Sequence, residues 1–168
     1  MIDLNSVPEF YQGYVKSLGQ SDLVPLLLKT GDEFIEFGRG LSEAQGAYRY
    51  AEGKWTIKEV IQHVIDSERI FAYRALRFAR NDKTEIPGFE QNDYVPESNA
   101  EKRPIHSLMT EFTNARASTV DLFTSFTDEM RKRSGVSNKV EMSVGALGYI
   151  ISGHLKHHLN VIHERYSR

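Results

Sequence analysis

There is no cysteine anywhere in the 168 residues. Disulfides, thiolate metal ligands and a cysteine nucleophile are excluded together, so any metal held by this chain must be bound through nitrogen and oxygen. Long apolar runs are missing too. No segment approaches the roughly 20 apolar residues that a membrane span needs, and Met1-Ile2-Asp3-Leu4-Asn5 lacks a basic stretch followed by an apolar one. The expectation is a cytoplasmic protein with no membrane partner. Charge of one sign is also lacking: the net charge of −2 leaves no broad electrostatic footprint for nucleic acid. Alternating, strand-like patterning is nearly absent, with only 139–142 reading as briefly extended. What remains is one domain over 1–168, with 40% hydrophobic residues to build its core.

Apolar residues recur at helical spacing in four segments. Over 22–37, Leu23, Leu26, Leu27, Phe34 and Phe37 fall on or near one face, Ser21 and Asp22 are suitable caps, and Gly38 and Gly40 mark the end. The stretch 38–54 reads as a connector. A second helix has a legible start, because Thr56 and Glu59 are spaced as a capping box in which each side chain satisfies a backbone donor of the other's residue. It should run to about Arg80, before Asn81-Asp82. From 83 to 104 the chain carries Pro87, Gly88, Pro96 and Pro104 with no sustained period, which predicts a long loop. A third helix is expected over 105–130 and a fourth over 144–166, capped by Ser143. Four amphipathic helices and one long crossover predict an all-α four-helix bundle.

Six histidines carry the chemistry. His154 and His158 are one turn apart on one helix face that also carries Leu147, Ile150, Ile151 and Val161, so two imidazoles can converge on one ion. His157 is only about 100° from His158, and spacing alone does not choose between them. His63 lies inward by pattern among Val60, Val64 and Ile70. Two imidazoles from one helix and one from another would leave an open coordination position. His106 and His163 read as surface residues.

The run from Gly53 to Phe71, with Trp55, the Thr56–Glu59 box, His63, Asp66 and Glu68-Arg69, resembles the second helix of the DinB-like (YfiT-like) superfamily. The continuation Ala72–Arg80, the segment Pro87–Tyr94 and the C-terminal Gly153-His154-Leu155-Lys156-His157-His158 resemble the same family in order. The resemblance implies an up-down-down-up bundle and a divalent metal ion, zinc or nickel, on His63, His154 and His158. It also implies a homodimer and a reaction on a small molecule, either hydrolysis or transfer involving a low-molecular-weight thiol. A non-catalytic metal-binding or interaction bundle is the rival expectation.

Asp66, one turn after His63, is a candidate base or a residue orienting a ligand. Arg74 lies about 20° from His63 on the helical wheel but three turns on, so it is a candidate for binding a substrate carboxylate or phosphate rather than the metal. Arg69, Arg77 and Arg80 read as a solvated basic face with Glu68 and Asp82 as partners. Trp55 and Tyr73 read as packing residues, and the loop with Gln91, Asn92 and Tyr94 as a lid or a plain crossover. Because imidazole ligands must be neutral, metal affinity is expected to fall below about pH 6.5.

Overall fold

The computed structural model describes residues 2–19 and 21–166. Its framework is four long helices: α2 (Leu23–Arg39), α4 (Ile57–Ala79), α6 (Ile105–Thr124) and α8 (Val144–Arg165). Short helices decorate them: α1 (Glu9–Lys16), α3 (Glu43–Gly46), α5 (Gln91–Glu97) and α7 (Asp128–Lys132). A hairpin of β1 (Ser134–Ser137) and β2 (Val140–Ser143) precedes α8.

α4 and α2 each pack against both α6 and α8, which places α4 diagonally across from α2. Side-chain meetings fix the directions. Leu23 lies against Gly148 and Phe37 against His163, so α2 and α8 run together. Arg116 lies against Gly31 and Met109 against Gly38, so α6 opposes α2. His63 meets His158 while Phe71, two turns on, meets His154, so α4 opposes α8. The bundle is therefore up-down-down-up.

The expected starts hold where the caps are strong. Thr56 Oγ1 accepts the Glu59 N–H and the Glu59 carboxylate accepts the Thr56 N–H at 2.7 Å, while Ser143 Oγ accepts the Ala146 N–H at 3.1 Å. Three expectations need correction. The third helix breaks at Ser125, and Thr127 starts α7 by accepting the Met130 N–H. The crossover 83–104 contains α5, with Glu90 accepting the Asn92 N–H at 3.0 Å. The extended stretch is half of a hairpin whose turn places Asn138 and Lys139 at positive φ, a conformation asparagine tolerates better than most residues.

Two apolar clusters fill the bundle. One gathers Leu27, Phe71, Phe78, Phe123 and Leu147, the other Phe34, Ile61, Phe112 and Leu155. Between them runs a polar waist. Arg116 donates from Nε and Nη2 to the two Glu68 carboxylate oxygens, both at 2.8 Å, and from Nη1 to the Leu27 carbonyl and Thr30 Oγ1. Gly31 makes room for it, since a Cβ there would lie 2.9 Å from Arg116 Cγ. Glu68 is thus buried with Arg116 rather than joining the surface arginines, while Arg77 does pair with Asp82 at 2.5 Å. Breaking a buried pair strands a charge. Arg116→Met alone should therefore cost about 3–5 kcal/mol in urea unfolding, whereas Glu68→Leu with Arg116→Met should recover most of that loss. A single variant within about 1 kcal/mol of wild type would refute this account of the waist.

Candidate metal centre

α4 and α8 bring three imidazoles together beside the waist. His63 Nε2 and His158 Nε2 each lie 3.1 Å from His154 Nε2, and the ligand nitrogens of all three lie within 4.8 Å of one another. Among the described residues no carboxylate belongs to this group. An uncharged imidazole nitrogen is either one donor or one acceptor, so His154 Nε2 cannot satisfy both neighbours by hydrogen bonding. Two imidazole nitrogens that each lie 3.1 Å from a third fit a common cation, since zinc holds imidazole nitrogens at about 2.0–2.1 Å.

Burial supports the same donor set. Loss of hydration pushes His63 down to about 4 and His158 to about 3, and it lowers His154 well below the usual value, with the neighbouring imidazoles adding to the effect. The lone pairs stay available far below neutrality. Proton competition with a metal therefore moves below the pH 6.5 expected from unperturbed histidine.

Aromatic residues surround the centre. The Trp55 ring lies 5.1 Å from that of His63, Phe71 lies 6.1 Å from His154, and Tyr14 of α1 packs on His154 at 5.7 Å and on His157 at 5.0 Å. α1 sits close on α8, because a Cβ at Gly153 would lie 2.6 Å from the Tyr14 carbonyl oxygen. On the other side, His158 opens into a cavity of about 370 Å³ lined also by Tyr50, Lys54, Trp55, Asn92, His157 and Arg165. Trp55 is thus a wall of this cavity as well as a packing residue, and Asn92 brings α5 to its rim.

The other candidates lie elsewhere. Asp66 accepts a hydrogen bond from Gln62 Nε2 at 2.9 Å and lines a separate groove with Arg69, Ile70, Asp93, Tyr94 and Glu97. Burial raises its pKa. Arg74 is 3% exposed and lies among α1 and α4 side chains rather than in the wall beside His158. Both His106 and His163 are exposed. Sequence reasoning missed Tyr14, Lys54 and Arg165. No motif marks them, although Lys54-Trp55 directly precedes the capping box and so had to enter the bundle at the level of His63.

The sequence pattern of the DinB superfamily matches residues 26–162. This chain belongs to the DinB superfamily. A relative from Oceanobacillus iheyensis, named as a candidate metal-dependent hydrolase, is 26% identical over 123 residues, 71% of this chain and 69% of its own length. Among solved structures, YfiT from Bacillus subtilis, described as a probable metal-dependent hydrolase with an unusual four-helix-bundle topology, superposes with a TM-score of 0.72. The match covers 84% of this chain and 82% of YfiT at 16% identity. A mycothiol-dependent maleylpyruvate isomerase superposes with a TM-score of 0.69 at 10% identity, covering 95% of this chain and 62% of that protein. At these identities the two structures establish a shared fold. No helix among the described residues is long and apolar enough to cross a membrane.

The lowered imidazole pKa values predict a pH signature for metal-free protein. Between pH 6.5 and about 4 the unfolded chain takes up protons that folded His63 and His158 refuse, so stability falls as pH drops through that window. Thermal unfolding from pH 7 to pH 4 should show a falling Tm, with a smaller fall in His158→Gln. Identical slopes in the two proteins would contradict the burial-driven shift.

Proposed function

We propose that this chain is a metal-dependent hydrolase of a small molecule, with one divalent ion, zinc or nickel, on His63, His154 and His158. The observation that carries the reading is the convergence of three uncharged imidazoles, two buried and one half-buried, beside a cavity into which the half-buried one opens. When bound, such an ion supplies Lewis acidity that brings water, or a thiol, into its reactive deprotonated form near neutral pH.

The chain's own residues do the rest. His63 and His154 are buried, so the accessible side of the centre is the His158 side. Trp55 holds the His63 ring from the flank and narrows the approach. His157 stands in the cavity wall, its ring 5.1 Å from that of His158, and burial lowers its pKa, which leaves it uncharged near pH 7 and able to accept a proton from the attacking nucleophile. Lys54 and Arg165 at the rim present positive charge to an incoming substrate. Asp66, facing its own groove with Gln62, is better placed to stiffen α4 next to His63 than to serve as the base.

The names of the relatives favour hydrolysis, and thiol transfer is the second reading because it uses the same centre with a different nucleophile. The decisive experiment is elemental analysis of untagged protein, followed by zinc or nickel loading and assays on esters, amides, and a thiol with an electrophile. One metal per chain and turnover of the first two classes are expected. His63→Ala, His154→Ala and His158→Ala should each lower metal affinity by at least about 100-fold. His157→Ala should keep the metal and lose about 10²-fold in turnover, as for a general base. His106→Ala should change neither. Stoichiometric metal with no turnover in any assay would instead favour a non-catalytic metal-binding bundle.

A further inference from the structure

Arg74 is buried to 3% exposure, yet no carboxylate pairs with it among the described residues. Its Nε has no hydrogen-bond partner. Arg116, buried to a similar degree, has Glu68 held by two parallel hydrogen bonds. Burying a guanidinium without such a partner is costly, and its unpartnered Nε is a donor that an oxyanion would satisfy. Two aromatic side chains lie against it. Its Cζ lies 5.6 Å from the Phe71 ring centre, and its side chain hydrogen-bonds that of Tyr11. Loss of hydration lowers its pKa.

Location gives this donor a use. The Phe71 ring also lies 6.1 Å from that of His154, so Arg74 and the histidine centre flank the same phenyl group. α1 roofs both, through Tyr11 on Phe71 at 5.9 Å and Tyr14 on His154 at 5.7 Å. This roof depends on its contacts with α4 and α8 rather than on its own sequence. It is eight residues long, Pro8 gives it no side-chain cap, Phe10 is 77% exposed, and Gly19 at φ +68° turns the chain just after it. Helices this short are marginal without tertiary support. The family pattern begins at residue 26, after α1.

We propose that Arg74 seats an oxyanion group, carboxylate or phosphate, of the molecule processed at the histidine centre, and that α1 lifts to admit it. The free Nε and an adjacent Nη form the edge that binds such a group bidentately. This rests on the reading above for the reaction at the histidines, and the binding step is testable without it.

The test is thermal unfolding and calorimetric titration with inorganic phosphate and with malonate at constant ionic strength, on full-length protein, metal-free and after zinc loading. Both probes should raise the Tm of wild type, and the tighter one names the oxyanion. Arg74→Met should weaken apparent affinity at least tenfold while its own Tm without anion stays level or rises. Arg74→Lys should recover part of the response, and Arg80→Met, an exposed control, all of it. An anion response equal in Arg74→Met and wild type, or absent from wild type, overturns the seat. An anion response in zinc-loaded protein that hydrolyses no ester or amide would sink the hydrolase reading and leave the seat standing. Amide exchange across residues 9–16 should be orders of magnitude faster than in α4 and α8. Exchange as slow as theirs would refute the lifting roof.

Discussion

The fold depends on the double hydrogen bond from Arg116 to Glu68, closed by the third arm of the guanidinium on the Leu27 carbonyl and Thr30. One side chain thereby ties α6 to both α4 and α2, which are diagonal to each other and share little direct contact. Apolar packing above and below this waist would tolerate a slip of a turn between helices. A buried, fully partnered charge pair would not, because a slip leaves both charges stranded. The register it fixes on α4 is the register that carries His63, five residues before Glu68, to the level of His154.

Most of the framework could be read in the sequence because its strongest signals are local. The capping box at Thr56–Glu59, the cap at Ser143 and the apolar stripes depend on neighbours within one or two turns. The position of His63 followed from its stripe. α1 was not legible: its aromatic residues Tyr11 and Tyr14 find their partners on Phe71 and His154, far away in the chain. The break at Ser125 was hidden for a related reason. Phe126 and Met130 keep helical spacing with the preceding residues, although the chain turns and Thr127 begins again.

The site was legible in its ligand types and not in its surroundings. Spacing left His157 and His158 equivalent, and family resemblance chose between them. Geometry separates them physically, with His158 Nε2 directed to His154 and the His157 ring against Tyr14. The fate of Glu68 was misread because a charged residue next to an arginine on a helix ordinarily faces solvent, and only a small residue on another helix, Gly31, made space for Arg116 to reach it inside.

His63 and His154 are 91 residues apart in the chain. Contacts of such separation close a long loop and form only after the intervening elements have docked. During synthesis, which proceeds from the N-terminus, α4 emerges with one imidazole set in an apolar surface and nothing opposite it. The centre exists only when the last helix has been made and has folded back along α4. A chain cut just before His158 would keep three of the four bundle helices and still lack a complete site, so the second half of α8 is where the centre is lost with least loss of fold.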